Sequence, residues 1–269
     1  VKYLNIRRMD QVLAPLCRAR TLFVFDFDGT LAPIVTLRAH AAMPRTTRAL
    51  FRRLASRATT AVISGRSVLD LRARLKVQAD YLVGNHGLEG LPGNAAMLRL
   101  AQGLSAQWLQ QLENTWCEMP RAGIDVENKR YSLAIHYRLA PDVRRARITI
   151  GRALAQLQPP PQLVFGKKVV NVLPSDAPNK GAALLKLLRR TRAKQALFIG
   201  DDDTDEAVFA LNDPRIVTVR VGRKRSSHAQ FFLRDQTEID AVLSYLVKRI
   251  IRSESVGKKT SAQTAAAGW

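Results

Sequence analysis

The chain has 269 residues, 46% of them hydrophobic, enough to bury the core of one large domain or two small ones. It contains no run of about 18 apolar residues, so no membrane-spanning helix is expected. Its net charge is +21, from 43 Lys and Arg against 22 acids, yet aromatics are only 6%. With no basic stripe among aromatics, no zinc-finger spacing and no helix-turn-helix pattern, a sequence-reading nucleic-acid protein is not expected.

The opening residues 1–8 lack the long apolar core of a secretory signal. Two cysteines, Cys17 and Cys117, stand far apart with no paired spacing. They read as reduced thiols, and the expected location is cytoplasmic.

In chain order, Thr21-Leu22-Phe23-Val24 is apolar or β-prone and predicts a short buried strand. It runs into Phe25-Asp26-Phe27-Asp28-Gly29-Thr30-Leu31. Residues 44–58 begin at Pro44 and carry Leu50, Phe51 and Leu54 on one helical face. A strand over 60–63 ends in Ser64-Gly65-Arg66, a helix through Leu69, Leu71 and Leu75 follows, and then the strand Tyr81-Leu82-Val83. This alternation predicts a parallel sheet with helices on its faces.

The pattern then changes. Residues 104–119 predict an amphipathic helix with Leu104, Trp108, Leu112 and Trp116 each four apart. Residues 131–138 alternate with period two, as in an antiparallel strand with one covered face. A helix over about 141–157 stops at Pro159-Pro160-Pro161, and short strands around 163–165 and 169–172 follow. Strand-and-helix alternation resumes after Pro178, with a helix over 182–188 and a strand over 196–200. The expected organisation is an α/β core over 1–93 and 175–250, interrupted by an α+β insert at 94–174. The polar, Ala-rich residues 251–269 are expected to be a disordered tail.

The chemistry collects at strand tips. Asp26 and Asp28 leave the first strand with one residue between them, and Gly29 makes the turn easy, so the two carboxylates can converge. Convergent carboxylates repel unless a cation lies between them or one keeps its proton. Mg²⁺ suits such a site because it prefers oxygen ligands and keeps positions for water and phosphate. A second acidic tip, Asp201-Asp202-Asp203-Thr204-Asp205-Glu206, follows Ala196-Leu197-Phe198-Ile199-Gly200. Ser64 sits at a third tip, and Lys180 opens the helix of 182–188. Taken singly, each motif also reads as a turn former, a capping residue or a solvated lysine. Together they place Asp, Ser, Lys and Asp at the carboxyl ends of strands, where open α/β sheets build their sites.

In order and context, Asp26-Phe27-Asp28-Gly29-Thr30, Ser64, Lys180 and Asp201-Asp202 resemble the four motifs of the haloacid dehalogenase-like phosphatases. Gly200-Asp201-Asp202-Asp203-Thr204-Asp205-Glu206 resembles the trehalose-6-phosphate phosphatase form of the last motif. Gly84-Asn85-His86-Gly87-Leu88-Glu89, Glu127-Asn128-Lys129 with Ser132, His136 and Arg138, and Gly166-Lys167-Lys168-Val169-Val170 match as well. The resemblance implies a Rossmann-like parallel-sheet core with an inserted cap over the site. It implies an aspartyl-phosphate mechanism with Asp26 as nucleophile and Asp28 as general acid and base, a role that requires a proton on Asp28 near neutral pH.

The same resemblance implies Mg²⁺ on Asp26, the backbone carbonyl of Asp28 and Asp201, with Asp202 in support and Asp205 a further candidate. Thr30, Ser64 and Gly65 would receive the phosphoryl group, and Lys180 would stabilise its charge. Glu127 and Lys129 match sugar-binding positions, Arg138 could meet phosphate, and Asn85 and His86 face the cap. His136 reads as a structural histidine.

The expected substrate is a small sugar phosphate. A trehalose-6-phosphate synthase in the same pathway is the implied partner. The positive field would draw such an anion in. One position departs from the pattern: Asn171 stands where a sugar-gripping Glu is expected. That leaves two enzyme readings, trehalose 6-phosphate or another glycosyl phosphate, beside a non-catalytic sugar-phosphate-binding or regulatory subunit. Retention of Asp26, Asp28, Lys180 and Asp201 weighs against the last.

Overall fold

The structure is a computed structural model. It describes residues 1–18, 20–116 and 123–266, with side chains through Ser253 and at Ser255. Cys117 lies outside the described residues, and Cys17 is a half-buried free thiol.

Seven parallel strands form the larger sheet: β1 (Lys2–Tyr3), β2 (Thr21–Phe25), β3 (Thr59–Ile63), β4 (Tyr81–Val83), β9 (Gln195–Gly200), β10 (Ile216–Val221) and β11 (Phe231–Leu233). Their order is β1-β11-β10-β9-β2-β3-β4. β2 is buried along its whole length, and five of the six residues of β9 are too. Strands covered on both faces read as near-continuous apolar runs, which is why these two were visible in the sequence.

One face packs against α1 (Ile6–Leu13), α2 (Arg45–Ala55), α3 (Val68–Leu75) and α8 (Ile239–Ala266), with Phe25 edge-on to Phe51 at 5.7 Å. The other face packs against α6 (Lys180–Thr191) and α7 (Glu206–Phe209), with Phe198 against Phe209 at 5.8 Å. Such aromatic pairs contribute about 0.5–1.5 kcal/mol beyond their area. From β2 the chain goes to β3 and β4 on one side, and from β9 to β10 and β11 on the other. The switch between β2 and β9 leaves a crevice at their carboxyl ends.

A second sheet is antiparallel, in the order β5-β6-β8-β7. Its strands are β5 (Asp125–Asn128), β6 (Leu133–His136), β7 (Gln162–Gly166) and β8 (Val169–Leu173), backed by α4 (Ala95–Trp116) and α5 (Val143–Leu154). Trp108, Leu112 and Trp116 of α4 are buried in a core of its own with Ile135, Ile150 and Val172. All of these elements fall within 94–174.

Three differences from the sequence expectation have physical causes. α4 starts at Ala95, well before 104, because Ala95-Ala96-Met97-Leu98-Arg99-Leu100 are good helix formers and a Cβ at Gly103 would meet nothing within 4 Å. The alternating stretch over 131–138 is strand only over Leu133–His136, so Arg138 lies beyond its end. α8 runs to Ala266, where a disordered tail was expected; Ala, Lys, Gln and Ser tolerate helix well. Among the described residues, no helix is long and apolar enough to cross a membrane.

Candidate active site

Asp26 is the first residue past β2, and its N–H donates to Ile199 O of β9 at 2.8 Å. That bond carries the strand pairing one residue further and turns the carboxylate into the crevice. Lys180 is the first residue of α6. Asn179 caps this helix by accepting from Ala182 N at 2.9 Å. The cap fixes the helix start, and Lys180 Nζ reaches Asp26 Oδ1 at 3.1 Å and Asp205 Oδ1 at 2.7 Å. Asp201 is the first residue past β9. The short turn Asp203–Asp205 folds Asp205 back, so that its Oδ2 accepts from Asp202 N at 2.9 Å.

Asp26, Asp201 and Asp205 are all buried, and each offers an oxygen within 4.8 Å of the others. Burial pushes Asp26 well above the usual carboxylate range and Lys180 opposes the shift, while the charges of Asp205, Asp201 and Asp28 add to it. Burial also lifts Asp201, to about 6, against the pull of Lys167. Burial works against charge on Lys180 too, but Asp205 and Asp26 hold it above its ordinary value.

Gly29 makes this approach possible. Its φ is +80°, and a Cβ there would lie 2.2 Å from Asp201 Oδ2. Thr30 Oγ1 and Asp201 Oδ1 are buried without a hydrogen-bond partner in the described protein. Buried polar atoms are rarely left so, and both lie in or next to the carboxylate group.

Asp28 points elsewhere. Its two oxygens are gripped by Arg66, from Nε at 2.6 Å and Nη2 at 2.8 Å, and Arg66 also holds Asp70 at 2.5 Å. Arg66 follows Ser64 and Gly65 at the end of β3. Ser64 is buried, and its Oγ accepts from Arg66 N at 3.2 Å. Gly65 has no room for a side chain, because a Cβ would lie 2.5 Å from His86 Cε1. His86 is buried with a left-handed backbone (φ 60°), and burial holds its imidazole well below its ordinary value, hence neutral.

The second sheet closes the crevice into a cavity of about 410 Å³. Lys129 Nζ crosses from the end of β5 to donate to Gly65 O at 2.8 Å and to Asn171 Oδ1 at 3.0 Å. Burial lowers Lys129 to about 8. Glu127 accepts from His136 Nε2 at 3.0 Å. Burial resists charge on Glu127, but His136, Lys129 and Arg38 hold it below the usual range. Lys167, at the turn between β7 and β8, donates to Asp201 Oδ2 at 2.5 Å. The cavity thus has acids and an ammonium on its floor and polar and charged groups on its roof.

The comparisons with known proteins bear on family and fold. The family model described as Trehalose-phosphatase matches residues 24–237. The chain belongs to the trehalose-phosphatase family. A trehalose-6-phosphate phosphatase of Escherichia coli is 32% identical over 203 residues, covering 73% of this chain and 75% of that protein. A Mycobacterium tuberculosis protein described as an uncharacterized glycosyl hydrolase is 35% identical over 212 residues. The match takes in 71% of this chain but only 15% of that protein, so the chain spans a small part of that relative. The C-terminal domain of Candida albicans trehalose-6-phosphate phosphatase has the same fold, with a TM-score of 0.74 at 22% identity over 92% of this chain and 98% of that one.

Within the trehalose-phosphatase frame, the expected residues fall into three groups. Asp26, Asp28, Ser64, Gly65, His86, Glu127, Lys129, Arg138, Asn171, Lys180, Asp201 and Asp202 all line the one cavity. Thr30 is fully buried and is not among the lining residues. Asn85 is also fully buried. It accepts from Ser132 Oγ at 2.6 Å and donates to Glu89 at 2.9 Å, so it ties the two sheets together.

Asp205, a further candidate from the sequence, joins Asp26 and Asp201 in one group of carboxylates able to share a cation. The Asp28 carboxylate is held by Arg66, which does not touch the expectation on its backbone carbonyl, and Asp202 stands at the cap of the Asp203–Asp205 turn. The donor set fits a hard divalent cation: three buried carboxylates, one with an unpartnered oxygen, face a single buried ammonium. Arg138 donates to Val35 O at 2.5 Å and to Lys167 O at 3.2 Å, joining core loop to hairpin.

Sequence reasoning gave no role to Arg66, Lys167 or Arg38. Arg66 and Lys167 stood inside the quoted motifs Ser64-Gly65-Arg66 and Gly166-Lys167-Lys168, which was the available signal. Arg38 carried none.

Proposed function

We propose that this chain hydrolyses trehalose 6-phosphate to trehalose and phosphate, with Asp26 as nucleophile and Mg²⁺ as cofactor. The observation that carries the reading is the pairing, across one cavity, of the buried Asp26–Lys180–Asp201–Asp205 floor with the Glu127–Lys129 roof. The 94–174 unit acts as the cap.

Asp26 attacks phosphorus and takes the phosphoryl group as an acyl phosphate, while the sugar oxygen leaves. Lys180 holds the Asp26 carboxylate in place and balances charge on the phosphoryl oxygens. Thr30 Oγ1, a donor with no other partner, and Ser64 receive those oxygens. Asp28 gives a proton to the leaving sugar oxygen and then takes one from the water that hydrolyses the acyl phosphate. For this it must be released from Arg66. When bound by Asp26, Asp201 and their neighbours, Mg²⁺ would supply positive charge to the phosphate and neutralise the carboxylates. The cap excludes water from the intermediate and offers Glu127 as acceptor and Lys129 as donor to sugar hydroxyls.

The test is phosphate release from a panel of trehalose 6-phosphate, sucrose 6-phosphate, glucose 6-phosphate and glucosylglycerate-type phosphates, with Mg²⁺ and with EDTA. Preference for trehalose 6-phosphate, lost in EDTA and in Asp26→Asn, supports the reading. Equal turnover of all members would sink it.

Asn171 supports a second reading, in which the substrate is another glycosyl phosphate. Its Oδ1 accepts from Lys129, and its Nδ2 donates to Val164 O at 3.2 Å. Both ends are used within the cap, and no negative charge is offered to the sugar. Under this second reading Asn171→Glu lowers turnover of the preferred panel member; under the first it maintains or raises turnover of trehalose 6-phosphate.

A further inference from the structure

The loop over 33–43 leaves the Asp26 turn and passes beneath the cap. Two arginines pin it. Arg66 Nη2 donates to Arg38 O at 3.3 Å, and Arg74 Nη1 donates to Ala39 O at 2.7 Å and Ala41 O at 3.3 Å. Arg38 is therefore held by its backbone, and its side chain reaches up to β5. Asp125 and Glu127 are two apart on that strand and so share a face. Arg38 Nη1 lies 3.3 Å from Asp125 Oδ2 and 3.3 Å from Glu127 Oε2. This nitrogen is buried although the side chain as a whole is 41% exposed, and neither contact has the geometry of a hydrogen bond. His136 Nε2 takes the same Oε2. Among the described residues nothing bonds Glu127 Oε1, and Glu127 lines the cavity.

We propose that Arg38 is a positioning residue: it clasps the first cap strand to the core and fixes Glu127 by Oε2, so that Oε1 is presented to a sugar hydroxyl. Arg38 and His136 meet the same oxygen and together set the plane of the carboxylate. A single partner would leave it free to rotate, and the entropy of fixing it would fall on substrate binding. The clasp also couples recognition to closure, because Glu127 is oriented only when the cap meets the core loop. The inference rests on the sugar-phosphatase reading for its meaning, but the ion pair itself can be tested separately.

The measurement is the ratio of kcat/KM for trehalose 6-phosphate to kcat/KM for p-nitrophenyl phosphate, which has no sugar. Arg38→Ala is expected to lower this ratio about 2- to 5-fold through KM, as for a lost partly exposed charge contact. Arg38→Lys is expected to recover most of it. On a Glu127→Gln background, Arg38→Ala is expected to change the ratio little, because the two act through one oxygen. A purely structural role would lower both substrates alike and leave the ratio unchanged, which would overturn the proposal. So would full additivity with Glu127→Gln.

If the wild-type chain prefers no sugar phosphate over the aryl ester, the sugar-phosphatase reading has failed. The clasp is then judged on melting temperature alone. A coupling of about 2 °C between Arg38→Ala and Glu127→Gln at low salt is expected, and strict additivity would end it.

Discussion

The floor and the roof of the cavity are held by different physics. The floor is buried charge: Asp26 and Asp201 are placed by the pairing of β2 with β9, Lys180 by the capped start of α6 and Asp205 by the turn after β9. The roof is joined to the core by single contacts between sheets, such as Lys129 to Gly65 O, Ser132 to Asn85 and Arg138 to Val35 O. A floor of this kind is rigid and already charged for a phosphoryl group. A roof of this kind can lift, and its residues can change without unfolding the core. Under the proposed function, chemistry is fixed where the fold is deepest, and substrate choice is placed where it is shallowest.

Four experiments would break or sharpen that contrast. The largest effect is expected for Asp26→Asn, which should lower phosphate release about 1000-fold or more. It should not lower the melting temperature, because it removes a buried charge. A clear loss of stability would mean that the floor needs this carboxylate for folding. Next is Lys180→Met. It leaves Asp26 and Asp205 buried without their cation and should destabilise the chain by about 3–5 kcal/mol in urea unfolding. A change below about 1 kcal/mol would show that the ammonium is not the counter-charge inferred from its 2.7 and 3.1 Å contacts.

Asn171→Glu acts on the roof. It should tighten KM for trehalose 6-phosphate by about tenfold or less, the difference between a neutral and a charge-assisted hydrogen bond. The smallest effect concerns pH. Asp201 is lifted to about 6 from 3.8, so the metal-free folded chain keeps a proton there that the unfolded chain has lost. That contribution to stability is present below the unfolded value and lost as pH rises through the folded one. A cation must displace this proton. Mg²⁺ is therefore expected to raise the melting temperature more at about pH 7.5 than at about pH 5, read as the difference from EDTA. Equal shifts would remove Asp201 from the metal group.

The floor was legible in the sequence because its residues are contiguous with apolar strands. Asp26 follows Thr21-Leu22-Phe23-Val24-Phe25, and Asp201 follows Ala196-Leu197-Phe198-Ile199-Gly200, so strand ends and chemistry announce each other. Asp205 was harder to weigh, because only the turn of Asp203–Asp205 brings it beneath Lys180, and turn geometry is not written in a run of acids. The roof was legible through resemblance alone. Glu127 lies on a strand of Asp-Val-Glu-Asn composition and Lys129 just past its end, and such polar residues read equally well as a surface turn. Arg38 was invisible, one arginine among many in a basic chain. Its place depends on carbonyl contacts with Arg66 and Arg74 that no local pattern encodes. The early start of α4 was missed for a simpler reason: its first two turns cover little core and show no apolar stripe.

The pairing of β2 with both β3 and β9 has a consequence for how the chain is made. β3 follows β2 within a few dozen residues, but β9 comes about 170 positions later. On the ribosome, a strand apolar on both faces waits with an open edge while the whole cap is synthesised, and open apolar edges invite pairing with the wrong neighbour. Gly29 meets Asp201 only when that gap is filled. Under the proposed function, the nascent chain thus carries its nucleophile long before β9 arrives beside it.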